Sequence, residues 1–285
     1  MQVVIWTPAA DEALYQTFWP EWFDRLAAGL ATAGVAARPH PWTEPLDSPA
    51  DAILPMIAWG YHVKPRLWAE RLRELESDGQ PTINPLPVLR WNTDKAYLAE
   101  LEQTGAEVVP SLMPEALTPE VLTAARLRFG CETLVVKPRI SGGSHQTLKL
   151  EPGDPLDGAP DGPALVQPFL PAVGEEGELS LFYFGGVFSH AVAKVAAPGD
   201  FRVQVQFGGE SRRVEPWPGA LAAAETVLAA VPPLAYARID LIRRLDGTLG
   251  LMELEAIEPD LFLALAPEAG ARFGAAVASA LRGNP

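Results

Sequence analysis

Two carboxylates that face each other across a β-hairpin need a cation to stay charged together. The stretch 236–259 (YARIDLIRRLDGTLGLMELEAIEP) contains such a pair. It reads as two strands joined by Asp246-Gly247, the strongest short hairpin signal. With those two residues as the turn, Leu245 lies opposite Thr248, Asp240 opposite Glu253 and Arg238 opposite Glu255. Directly opposed residues share one face of the ribbon. One face then carries Arg238, Asp240, Glu253 and Glu255, flanked by Leu249 and Leu251; the other carries Ala237, Ile239, Leu241, Met252 and Leu254. Opposed like charges destabilise a sheet unless something neutralises them. A hard divalent cation with oxygen ligands is the natural neutraliser, and Mg²⁺ usually takes one or two carboxylates together with phosphate oxygens. The competing reading, a solvated acidic face beside one salt bridge, fits poorly with such apolar neighbours. A slip of one residue would send the acids of the two strands to opposite faces, so the reading depends on register.

The basic residues to pair with such a site are those embedded in apolar strands. Residues 133–138 form a hydrophobic strand with Lys137 near its end, followed by Ser141-Gly142-Gly143-Ser144-His145-Gln146-Thr147. Small residues let backbone N–H groups approach a phosphate closely. The loop is not a P-loop, since no G-x-x-x-x-G-K-[ST] occurs. Asn92-Thr93-Asp94 reads as a helix N-terminus, which puts Lys95 in a first turn, where the helix dipole disfavours a cation. An anionic ligand would offset that; a surface lysine is the alternative. In the strand at 164–170, Pro168 lacks an N–H, so pairing breaks there, and a free backbone edge of that sort could read an adenine. Residues 178–184 and 187–194 form a second hairpin about Gly185-Gly186, with Lys194 near the level of Glu178; a simple salt bridge is one reading of that pair. In 201–207, Arg202, Gln204 and Gln206 alternate with Phe201, Val203, Val205 and Phe207, the pattern of a half-buried strand.

The elements that must position these groups follow from the rest of the chain. Residues 2–6 and 51–59 read as buried strands, about 17–33 and 65–77 as helices, and 82–83 as a short strand. Strand–helix–strand–helix–strand at this spacing predicts a small parallel α/β unit. Helices are expected at 119–129, 218–231 and 264–282. Residues 151–163 are an exposed, Pro- and Gly-rich connection. The 285 residues, 48% of them hydrophobic, suffice for two or three subdomains. No apolar run reaches the roughly 18 residues of a membrane span, and no basic region precedes an apolar stretch at the N-terminus, so a cytoplasmic protein is expected. A net charge of −14 argues against nucleic acid or anionic membranes as partners. The single Cys131 leaves no internal disulfide and no multi-cysteine zinc site.

A lysine after a strand, a glycine-rich loop, an adenine edge, embedded cations and a carboxylate hairpin are, in that order, what phosphoryl transfer needs. On Val135-Val136-Lys137-Pro138, Gln167-Pro168-Phe169-Leu170, Gly199-Asp200-Phe201-Arg202, Arg238-Ile239-Asp240 and Met252-Glu253-Leu254-Glu255, the chain resembles the ATP-grasp superfamily. The branch is the one that includes glutathione synthetase and the ribosomal-protein glutamate ligases. The runs around 178–181, 189–192, 199–204 and 251–259 look most similar to its D-cycloserine-ligase-like group. The resemblance covers about 85–265. It implies an α/β fold with an N-terminal unit at 1–88, a central lid at 89–170 and a C-terminal unit at 171–285 that together clasp ATP.

By the same resemblance, Lys95, Lys137, Ser141, Gly142 and Gly143 contact the ATP phosphates. Gln167, Pro168, Phe169 and Leu170 frame the adenine, and Glu178 holds the ribose. Asp240, Glu253 and Glu255 bind Mg²⁺, with Mn²⁺ as a substitute. Lys194, Arg202 and Arg238 steady the γ-phosphate and an acyl phosphate. Glu255 stands where the wider family commonly has Asn, which leaves open whether it binds metal or pairs with Arg238. The implied function is ATP-dependent ligation of small-molecule carboxylate and amine (or thiol) substrates, with a homodimer as the oligomeric option. The alternatives are a cyclising ligase of the D-cycloserine type, a non-catalytic nucleotide-binding module, and a metal-dependent hydrolase that works without ATP.

Overall fold

The apolar run Gln2–Thr7 forms β1, buried except at its first residue, and it is the middle of a three-stranded parallel sheet. The computed structural model describes residues 1–283. β1 is flanked by β2 (Ala36–Pro41) and β3 (Ala52–Leu54) in the order β2-β1-β3. β2 was hidden in the sequence by its two prolines and its charged Arg38, but it is an edge strand, where a missing N–H is tolerated. The strand expected at 51–59 stops at Leu54, because Pro55 cannot donate to the ladder and the chain turns at once. Thr82 continues this edge with a single parallel bridge to Ile53. The helices Trp19–Ala31 and Pro65–Ser77 cover the two faces of the sheet.

The C-terminal body is a five-stranded antiparallel sheet of order β11-β10-β7-β8-β9. Its strands are β7 (Glu178–Phe184), β8 (Val187–Val195), β9 (Glu210–Val214), β10 (Tyr236–Arg243) and β11 (Leu249–Glu255). Leu179, Leu181, Ile239, Leu241, Leu251 and Leu254 form one core with the helices Tyr97–Gln103 and Ala220–Ala229. Phe182, Phe184, Val192 and Tyr236 form another, shared with the final helix Ala269–Leu281 and with β1. That helix packs on Trp19–Ala31 at a close crossing, where a Cβ on Gly29 would stand 2.6 Å from the Gly270 carbonyl oxygen.

Between these bodies lies a small antiparallel sheet, β5-β4-β6, made of β4 (Leu134–Pro138), β5 (Leu148–Leu150) and β6 (Ala164–Pro168). Leu134, Val136, Leu150 and Val166 pack on the helix Pro119–Phe129. Alternation along β4 therefore turns Val135 and Lys137 away from that helix. The sequence placed 89–170 in one unit. Tyr97, Leu98, Leu101 and Val108 of that stretch share the apolar core of the five-stranded sheet.

Candidate active site

The carboxylates stand in the register read from the sequence, Asp240 opposite Glu253 and Arg238 opposite Glu255. They reach it by another route. Nearer the turn, Arg243 pairs with Leu249, one residue out of the expected register. The Arg244 N–H donates to the Thr248 carbonyl at 2.8 Å, so the loop has three residues and ends on Gly247 at φ 84°. This is the three-residue hairpin loop with a left-handed glycine. A bulge between Asp240 and Leu241, with Met252 as the extra residue, then restores the register. The bulge also exchanges two side chains. Leu251, expected beside the acids, is fully buried in the apolar core, and Met252 turns toward the β5-β4-β6 sheet, its Sδ 3.7 Å from Lys137 Nζ.

β11 is an edge strand, yet its outward backbone groups are not free. The Tyr97 hydroxyl accepts the Leu254 N–H at 2.9 Å and donates to the Leu254 carbonyl at 3.0 Å. Asn92 bonds the Leu254 carbonyl and the Ala256 N–H at 2.7 and 2.9 Å. These contacts fix the backbone on both sides of Glu253 and Glu255. Asn92 itself ends the helix Leu86–Asn92 rather than starting one. Lys95 therefore sits in the turn between two helices, not in a first helical turn. Its ammonium is buried, donating to the Ser141 carbonyl at 2.6 Å and pairing with Glu253 at 2.9 Å.

Asp240 is the hub of the charged face. Ser180 donates to it at 2.6 Å, Lys194 at 3.1 Å and Arg238 through Nε and Nη2 at 2.9–3.2 Å. Burial alone would raise its carboxyl, but Arg238 and Lys194 outweigh that and hold it well below the carboxylate range. Lys194 also pairs with Glu178, its register partner in β7. Burial pushes the Glu178 carboxyl up against that pairing. Arg238 also pairs with Glu255. Burial, reinforced by Glu253 and Asp240, pushes Glu255 up to about 8 in spite of Arg238. Glu253 goes the other way: burial is outweighed by Lys95 and Lys137. Lys137 differs from the other lysines here, since no carboxylate of the described residues pairs with it, and burial lowers its pKa.

Other expected residues fall around this centre. Gly143 adopts φ 58°, and the Ser144 hydroxyl donates to Gln204 Oε1 at 2.7 Å, tying the glycine loop to the segment after Gly199. That segment is not the strand its alternation predicts. Asp200 Oδ1 captures the N–H groups of Phe201 and Arg202 at 2.7 and 2.9 Å, and residues 205–207 close a 3₁₀ turn. The ladder to β8 is made instead by Glu210–Val214. Arg202 consequently pairs with Asp200 at 2.7 Å and lies 3.6 Å from the Phe207 ring centroid, outside the carboxylate cluster. Gln167 is buried and donates to Ser111 at 3.0 Å. Pro168 pairs with Leu134, so the ladder runs to the last residue of β6. The Phe169 N–H is given to the Thr133 carbonyl, and the Leu170 carbonyl accepts from Val173. His62, in the strand-end stretch 59–62 where a parallel α/β sheet presents a ligand, and Glu258, which the sequence reading did not single out as a site residue, converge on Gly142. They come from opposite ends of the chain, and no local pattern joins them.

No protein-family model matches the chain. The cycloserine biosynthesis protein DcsG of Streptomyces lavendulae is 32% identical over 246 residues, covering 76% of this chain and 81% of that protein. The crystal structure of D-cycloserine synthetase DcsG superposes with TM-score 0.82 at 24% identity, over 99% of this chain and all of that one. The chain belongs to the ATP-grasp ligases. The fold recurs in the ATP-grasp ligase PsnB, at TM-score 0.64 and 19% identity over 100% and 99% of the two chains. It recurs again in the D-alanine–D-alanine ligase of Bacillus anthracis, at 0.66 and 17% over 97% and 94%. This ATP-grasp ligase is thus an enzyme of the ATP-dependent, C–N bond-forming kind. None of its described helices is long and apolar enough to cross a membrane.

Proposed function

We propose that this ligase activates a substrate carboxylate with ATP as an acyl phosphate and then transfers the acyl group to an amine. In the first step a carboxylate oxygen bonds to the γ-phosphorus as the bond to ADP breaks. In the second the amine nitrogen attacks the acyl carbon, phosphate leaves, and the nitrogen gives up its proton. No covalent enzyme nucleophile is needed, so catalysis is positioning and charge neutralisation. The observation that carries this reading is Lys137. A half-buried ammonium with no carboxylate partner among the described residues, set on the face of β4 opposite its own core, is a receptor for an anion.

The carboxylates of Asp240, Glu253 and Glu255 are hard oxygen ligands of the type Mg²⁺ or Mn²⁺ takes, but among the described residues no three such groups stand gathered closely enough to hold an ion as they are. Bound there, the ion would neutralise phosphate charge. In the structure Lys95, Lys194 and Arg238 hold these same carboxylates. We infer that the three cations act as placeholders and turn onto phosphate oxygens when the metal takes their partners. Gly142 and Gly143 would line the phosphate side, and the segment 167–170 the adenine side, with Glu178 at the ribose. Arg202 would reach the reacting phosphate by leaving Asp200. Lys137→Ala should lower ATP-dependent ADP release by about 10²–10³-fold, the cost of removing one preorganised electrostatic contact, while the circular dichroism spectrum stays unchanged. Wild-type turnover in that variant would sink the assignment.

The relationship to DcsG favours one specific second reading, an intramolecular ligation that closes a ring. The two part on stoichiometry. ADP release with one organic substrate, giving a product lighter than it by one water, marks cyclisation. A requirement for two substrates marks intermolecular ligation.

A further inference from the structure

The turn that joins the helices Leu86–Asn92 and Tyr97–Gln103 bonds to the parts built on all three sheets. Its two ends grip the outer edge of β11. Tyr97 holds both backbone groups of Leu254, and Asn92 holds the Leu254 carbonyl and the Ala256 N–H. Its middle grips the β5-β4-β6 sheet. Asp94 takes the Arg139 guanidinium through bonds of 2.6 and 2.9 Å, and the Lys95 N–H donates to the Arg139 carbonyl at 3.0 Å. The Lys95 ammonium reaches the Ser141 carbonyl at the start of the glycine loop. Thr93 accepts the indole N–H of Trp68 at 2.9 Å, from the helix Pro65–Ser77 of the N-terminal unit.

An edge strand needs its outward N–H and C=O groups covered. At Leu251 the backbone of Glu107 and Val109 does this, as an added strand would. At Leu254 and Ala256 side chains take over, a hydroxyl and a carboxamide, each able to pair with a donor and an acceptor. Covering the edge does not require that the cover also hold the end of β4, and these residues do both. They carry Lys95 as well, the cation of Glu253. Asn92, Lys95 and Tyr97 are buried, so breaking one of their bonds leaves a buried polar group unpaired. The Asp94 pair is bidentate, and Asp94 Oδ1 also accepts the Ala96 N–H at 2.9 Å, which fixes the shape of the turn itself.

We propose that the turn 92–97 is a strut between the carboxylate strand and the glycine loop, with Tyr97, Asn92 and Asp94 as positioning residues. It sets the spacing between Glu253 and the backbone at 139–141, and so the room between them. That this room receives phosphates rests on the ligase reading above; the strut itself concerns two segments that are held as one. A strut is lost when either end is cut, so a cut at one end loosens the element at the other, and the coupling is reciprocal.

The test compares the full-length wild type, Tyr97→Phe, Arg139→Ala and the double variant. Amide hydrogen exchange is measured without ligand, and ADP affinity by calorimetry with Mg²⁺. Tyr97→Phe should speed exchange of the amides of 139–147 by about tenfold, and Arg139→Ala should do the same to the amides of Leu254 and Ala256. Each single variant should weaken ADP by about tenfold, and the double variant by no more than about twice that, because the second cut meets a strut already lost. A mere edge cover behaves otherwise: Tyr97→Phe then speeds exchange in β11 alone, and the two effects on ADP multiply. Either of those results would overturn the strut and leave the ligase reading standing. Asn92→Ala cuts the β11 end by a second route and decides the matter if Tyr97→Phe does not fold. A wild type that binds no ADP counts against the ligase reading, and the exchange measurement, which needs no ligand, still decides the strut.

Discussion

Arg238 donates to both oxygens of Asp240, to Glu255 and, at 3.4 Å, to the Asp260 carbonyl, from a side chain only 9% exposed. Replacing it by Met keeps much of the volume and removes every one of those donors. Asp240 would still have Lys194 and Ser180, but Glu255 would lose the cation it holds in the structure. Breaking a buried pair by deleting one partner typically costs about 3–5 kcal/mol, because the remaining charge stays buried without compensation. For a chain of this size one kcal/mol moves the melting temperature by roughly 2–4 °C, so Arg238→Met should melt about 10 °C lower. At pH 9, above the value of about 8 to which Glu255 is pushed, the loss arises from a stranded charge, so Glu255→Gln in the same chain should restore part of it there, with a coupling of about 1–3 kcal/mol in the double-mutant cycle. The assay is urea and thermal unfolding of the four proteins by circular dichroism without nucleotide. A shift below about 2 °C, or additive single effects, would refute the view that Arg238 neutralises this face.

Other regions make separate predictions. His190 is buried, its Nε2–H donating to the Leu261 carbonyl and its Nδ1 accepting from Ser189, and burial lowers its pKa from 6.5 to about 4. The neutral ring favours the folded state above pH 6.5, and that contribution is lost as pH falls toward 4, where the unfolded chain takes up the proton first. The stability advantage of wild type over His190→Gln should therefore shrink by about 3 kcal/mol between pH 7.5 and 4; a pH-independent difference in urea midpoints would contradict it. Asn84 joins the N-terminal unit to the C-terminal sheet, donating to the Tyr236 and Ala256 carbonyls at 2.9 and 2.8 Å and accepting from the Ala235 N–H at 2.8 Å. It does so at φ 60°, where Ala is strained. Asn84→Ala should cost about 3 kcal/mol or more in urea denaturation, and a loss under about 1 kcal/mol would show those backbone groups to be satisfied otherwise.

Much of the chemistry was legible in the chain because it lies on short-range patterns. Period-two alternation and a Gly turn marked the hairpin 178–194, and the level of Glu178 with Lys194 followed from counting. Lys137 and the glycine loop were adjacent in sequence, so their company needed no fold to see. Asp240 and Glu253 were paired correctly, yet for an incomplete reason. A three-residue loop and a bulge at Met252 shift the register in opposite senses and cancel. Alternation cannot reveal such a bulge, because the extra residue is apolar like its neighbours.

What only the tertiary structure decided is which charge faces which. Residues 201–207 carry a strand pattern, but Asp200 captures the N–H groups a ladder would need, and Arg202 goes with it. Lys95 looked like a first-turn cation, and it is a buried partner of Glu253, 158 positions away. His62, Gly142 and Glu258 meet from three separate elements. Side-chain types and local periodicity are properties of the sequence and can be read there. Desolvation and ion pairing depend on which segments share a volume, and only the packed fold settles that.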